Sequence, residues 1–250
     1  PDALADAADG DTLRLLDDIL CNSGVSIVGK TVTLDLNGHD LDIYEPSGTG
    51  LSVSNGGIAL EGEGSFTVTG YEYGVHAYPG SVVTVTNAGA TSITAGVGVI
   101  AAGGGEVTVM GDVQSVCKGV IAIGEGTKVT IGGNVTVEAN ETWGIEATAS
   151  IGGGAEVDVG GDVTVNGGGG VLAQGDGTAI YISGSVTATD GGGAIAMYGG
   201  RVAVDGNVQA SAEGASALGI GSAVTVGHNI SATTGVQALS GGQAEVQGGV

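Results

Sequence analysis

From Val83 onward the sequence repeats itself, and the period decides what the chain can become. Short VTV-like segments begin at Val83, Val107, Val129, Val157, Ile180, Val202, Val224 and Ala244, at spacings of 24, 22, 28, 23, 22, 22 and 20 residues. Five positions after an anchor stands a turn former, usually followed by a second apolar segment, as in GDVQSV at 111–116, GNVTVEA at 133–139, GDVTV at 161–165, GSVTA at 184–188, GNVQA at 206–210 and HNISA at 228–232. A third segment opens most repeats: GVIA at 98–101 and 119–122, GIEA at 144–147, GVLA at 170–173 and GVQA at 235–238. Each segment is too short for a helix and alternates inward and outward positions, the signature of a half-buried strand. Units of this length cannot bury an apolar face alone and must stack. The chain is therefore expected to be all-β, a right-handed, three-sided parallel β-helix of about ten coils.

Alternation assigns Val107, Val109, Val129, Ile131, Val157 and Val159 to the interior and Thr108, Thr130 and Asp158 to the surface. The composition agrees: 42% hydrophobic residues but only 3% aromatic, with 53 glycines, suits a narrow interior of Val, Ile and Ala with tight corners. Leu34 and Ile58 serve as anchors of the earlier coils. Residues 1–20 read as a cap and first strand. There Asp2 caps a helix from Ala3 to Ala8, ended near Gly10, whose Leu4, Ala7 and Ala8 cover the open end of the stack. Residues 21–250 form the β-helix. Because AEVQGGV at 244–250 resembles no cap, the helix is expected to continue beyond it.

The net charge of −22, from 27 acidic and 5 basic residues, repels phosphate backbones and anionic lipid, so nucleic acid and membrane insertion are not expected. No apolar stretch approaches the roughly 20 residues of a membrane helix, and no signal peptide is legible. Cys21 and Cys117 fall four coils apart, roughly 19 Å at about 4.8 Å per layer, beyond the reach of a disulfide, and read as small buried fillers.

The run ALADAADGDTLRLLDDI followed by VSIVGKTVTLDLNGHDLDI resembles the first coils of pectate-lyase-like β-helix proteins, in which a capping helix leads to DGDT, a strand, and a GKTVTLDLNGH strand. Among these the coil pattern is similar to that of large, repetitive, adhesin-like surface proteins of Gram-positive bacteria. The resemblance implies an extracellular or wall-associated location. It implies no single activity, because such folds host lyases, hydrolases, epimerases and non-catalytic adhesins.

Catalytic chemistry is poorly represented. A lyase needs a base beside calcium-binding carboxylates, but Lys128 shares its column with Glu106 and Glu156, which reads as charge alternation on a surface. A glycosidase needs paired carboxylates; Asp112 and Asp162 lie two layers apart, roughly 9.6 Å, at the outer limit for an inverting pair. They belong to a file of turn formers, Asp112, Asn134, Asp162, Ser185, Asn207 and Asn229, that reads as a corner ladder. Polygalacturonase-type motifs are absent, NGH at 37–39 being a superficial likeness. Calcium along Asp112, Asn134 and Asp162 stays open as an alternative, since oxygen ligands are present though too few are clustered; otherwise no cofactor, metal site or catalytic residue is assigned. His39, His76 and His228 stand in separate coils and read as surface or turn residues. The file Gln114, Thr136, Thr164, Thr187, Gln209 and Ser231 is too thin for an ice-binding ladder, and the sequons at Asn134, Asn140 and Asn229 would carry little weight if the source is bacterial.

The informative surface is on the GVxA strands, where Ile100, Ile121, Ile123, Leu172, Ile195 and Met197 are expected to face outward as an interaction surface. A shifted phase would bury them instead. Trp143 and Tyr78, with Tyr71 and Tyr73 nearby, offer ring faces for a glycan, unless Trp143 merely pins the loop of the 28-residue repeat. The expected function is a non-catalytic scaffold with an adhesive surface for glycans or host proteins; the alternative is a carbohydrate-active enzyme. Oligomeric state is not legible.

Overall fold

The computed structural model describes residues 2–92, 96–138 and 143–250, and of Asp2 and Ala5 the backbone alone. The sequon at Asn140, the loop centre before Trp143 and the Asp2 side chain lie outside what is described. The chain is a right-handed, three-sided parallel β-solenoid of about ten coils. Each strand pairs in parallel with its counterpart one coil on, giving, among the described residues, sheets of eleven, ten and ten strands. Sheet A holds the anchor strands, sheet B the strands that follow the short corner, and sheet C the GVxA strands. Parallel stacking satisfies the backbone of each coil through its neighbours, and no buried side-chain polar atom among the described residues lacks a partner.

The anchors are in register from Val83 through Val107, Val129, Val157, Ile180, Val202 and Val224 to Ala244. One anchor needs correction. Ile58 pairs with Val83 on one side and with Val32, not Leu34, on the other; Leu34 faces Leu60. Val32 and Leu34 both point into the core, and a period of two cannot tell them apart.

A column of glycines sets the corner between sheets B and C. Gly50, Gly74, Gly98, Gly119, Gly144, Gly170, Gly193, Gly214 and Gly235 stand there in successive coils. A Cβ at Gly119 would collide with Val135 Cγ1 and sit 3.0 Å from the carbonyl oxygen of Gly144, the next glycine in the column. The corner closes only because backbone takes the place of a side chain.

The N-terminal cap is a second correction. Helical geometry is confined to one turn, Asp2–Asp6, and no longer helix covers the end. Leu4 is buried and Lys30 Nζ donates to the Leu4 and Ala7 carbonyls at 2.7 Å, but Ala8 is exposed. An apolar hollow of about 350 Å³, lined by residues including Leu4, Leu13, Leu15, Leu34 and Ile43, remains beneath it. Five residues are too few to sustain a helix without tertiary support along their length.

Candidate functional site

On sheet C the inward and outward residues separate cleanly. In Lys118–Ile123, Val120 and Ala122 lie in the core while Ile121 and Ile123 face away from it. The pairing register places Ser52, His76, Ile100, Ile121, Glu146, Leu172, Ile195, Ser216 and Gln237 in one outward column. Ala102, Ile123, Thr148, Gln174, Met197, Leu218 and Leu239 form the next.

The six apolar residues named from sequence thus occupy two columns, in the outward phase, but they do not make one exposed patch. Ile100, Ile121 and Met197 are half-buried and Ile123 is 37% exposed, whereas Leu172 and Ile195 retain only 6% and 7%. These last two lie outside the core cluster yet are covered. The corner segment folds against Ile195, so that a Cβ at Gly192 would be 3.0 Å from Ile195 Cδ1, and Leu172 is its register partner. Glu146 stands between Ile121 and Leu172 and divides the column. Its Oε2 accepts from Lys118 Nζ at 2.6 Å, which keeps a charge satisfied among apolar neighbours.

Aromatic rings stand on the same sheet. His76 and Tyr78, two residues apart and therefore on one face, are stacked with centroids 3.9 Å apart and planes 18° from parallel. Tyr73 leans on His76 at 5.3 Å. Partial burial depresses the His76 pKa, so the imidazole is neutral at pH 7, while Tyr78 remains 42% exposed. Reading His76 alone as a surface residue missed this cluster; its signal was the two-residue spacing from Tyr78. Trp143 begins its strand three coils beyond Tyr73, about 14 Å along the axis. Its indole lies against Gly169 of the next coil, where a Cβ would sit 2.5 Å from the ring.

The acidic residues considered for catalysis are engaged in structure. Asp112 Oδ1 accepts the Asn134 amide at 2.7 Å, Asn134 Oδ1 the Asp162 amide at 2.8 Å, and Asp162 Oδ1 the Ser185 amide at 2.7 Å. Ser185, Asn207 and Asn229 continue the ladder to Gly249. Lys128 donates to Glu156 at 2.6 Å and lies 3.3 Å from Asp158; the hydrogen bonds to Glu156 and Asp158 raise its pKa. An ammonium held protonated in this way is a poor general base. Among the described residues no three His, Cys, Asp or Glu side chains are grouped to hold a metal ion.

Comparison with protein-family models, with curated proteins and with solved structures gave no match.

Proposed function

We propose that this chain is a rigid, non-catalytic scaffold whose sheet C face binds glycans. The observation that carries the reading is the placement of aromatic residues on one sheet along the solenoid axis: the Tyr73, His76 and Tyr78 cluster at one end and Trp143 three coils on at the other. Ile100, Ile121 and Ile123 lie between them. One coil advances about 4.8 Å, close to the length of one pyranose residue in an extended polysaccharide. A glycan lying along the axis would therefore meet equivalent positions in successive coils. Sugar C–H faces stack on aromatic rings, and apolar residues between them exclude water.

The resemblance of the first coils to pectate-lyase-like surface proteins of Gram-positive bacteria fits a secreted or wall-associated protein, and the charge of −22 favours neutral ligands over anionic ones. An enzyme of this fold would need a free base or a carboxylate pair. Here Lys128 is held protonated, and Asp112 and Asp162 each give one oxygen to a backbone amide.

Affinity electrophoresis through gels carrying neutral plant, microbial and host polysaccharides tests the reading. Retardation by at least one polysaccharide, reduced several-fold in both Tyr78→Ala and Trp143→Ala, is expected. Retardation that neither substitution alters would place the glycan surface elsewhere.

A further inference from the structure

Sheet B is dented at one coil, and the cause is local composition. At Gly50, Gly98 and Gly119 an added Cβ would meet the valine of the adjoining sheet B strand, Val68, Val113 or Val135. At Gly74 it would instead meet the backbone oxygen of Gly89, with the Gly89 nitrogen 2.9 Å away. The strand here is Asn87–Ala90. Three small residues in succession, Ala88, Gly89 and Ala90, let the backbone sink toward the axis into space that a valine side chain fills in neighbouring coils.

The sunken strand leaves a hollow of about 450 Å³ on the outer face, walled by Thr67, Thr69, Asn87, Asp112, Gln114 and Glu138. That volume lies within the range of about 300–1,000 Å³ found for small-ligand sites. Gly89 sits in register between Thr69 and Gln114 and adds no side chain of its own to the floor. Gln114 Nε2 donates to Glu138 Oε1 at 2.9 Å, which fixes both groups at the rim, and Asp112 is held through Oδ1 by the Asn134 amide, leaving Oδ2 as an acceptor. The walls thus combine hydroxyl, amide and carboxylate groups around a floor of bare peptide. Two carboxylates and no Lys or Arg line it among the described residues, so the hollow disfavours anions.

We propose that this hollow is a second binding site, for a single uncharged sugar ring. The ring's C–H face rests over Gly89 and its hydroxyls exchange hydrogen bonds with Thr67, Thr69, Asp112, Gln114 and Glu138. The site is on a different side of the solenoid from the aromatic residues and does not depend on their role.

Titration of ¹⁵N-labelled protein with methyl β-glucopyranoside, methyl β-galactopyranoside and the methyl glycoside of glucuronic acid, followed through the amide spectrum, tests it. The expected result is saturable shifts at the Gly89, Gln114 and Ser115 amides with at least one neutral ring, and binding of the uronate weaker by about tenfold or more. Gln114→Leu and Thr69→Val, both at surface positions, should each abolish or sharply weaken these shifts while the rest of the spectrum is unchanged. Trp143→Ala and Tyr78→Ala should leave them intact. No saturable shift at these amides with either neutral ring, equal binding of the uronate, or indifference to both wall substitutions would overturn the proposal.

Discussion

The indole of Trp143 lies over Gly169 in the next coil, so close that a methyl group at residue 169 would sit 2.5 Å from ring atoms Cε3 and Cζ3. The missing side chain at Gly169 is the seat of the tryptophan. Gly169→Ala should tilt the indole off the sheet and reduce polysaccharide retention about as much as Trp143→Ala does. The ring is half-buried at the surface, so the cost in stability should stay near 1 kcal/mol or below. Gel retardation and urea unfolding on the same preparations separate the two effects.

The glycine column makes the opposite prediction. A Cβ at Gly119 points into Val135 and toward the carbonyl of Gly144, inside a packed corner with nowhere to move. Gly119→Ala should cost about 1–3 kcal/mol, the range of overpacked cores, seen as a lower urea midpoint at an unchanged slope. An unaltered midpoint would mean that the corner is looser than described.

In the ladder between sheets A and B, the acceptor matters and the charge does not. Asp112→Asn retains an oxygen for the Asn134 amide and should change stability by less than about 0.5 kcal/mol. Asn134→Ala removes the acceptor of the Asp162 amide and should cost about 1 kcal/mol. Equal losses in the two variants would contradict the ladder.

His76 gives the fold a pH dependence of definite sign. Burial lowers its pKa in the folded state below the ordinary 6.5, whereas the unfolded chain titrates near that value. Between the two pKa values the unfolded state binds more protons, so stability rises with pH there. The contribution is complete above about pH 6.5 and is lost as pH falls through the folded-state pKa. The fall in melting temperature between pH 7.5 and 5.5 should be smaller in His76→Phe, which keeps a stacked ring without a proton to bind.

The solenoid was legible because its signal is repeated: anchors from Val83 to Ala244 fell into register as expected, and only Leu34, two residues from the true anchor Val32, was misplaced. The outward phase of Ile121 and Leu172 was legible for the same reason. Their exposure was not, because it depends on how corner segments fold over particular residues, as at Ile195, and alternation carries no such information. The N-terminal turn stopped at Asp6 where a helix to Ala8 was expected, since capping residues signal where a helix starts better than whether it persists. The dent at Gly89 could have been noticed as the one second strand reading NAGA, but its depth follows from packing against the Gly74 corner.

The most direct test of a scaffold that binds glycans without cleaving them is to incubate the protein, with calcium, with plant, microbial and host polysaccharides and examine the soluble products by mass spectrometry, while measuring the protein retained on each insoluble polymer. Retention on at least one polymer with no new oligosaccharides is the predicted result. New oligosaccharides, absent from a protein-free control, would contradict the account and make Asp112, Asp158 and Asp162 the first residues to replace.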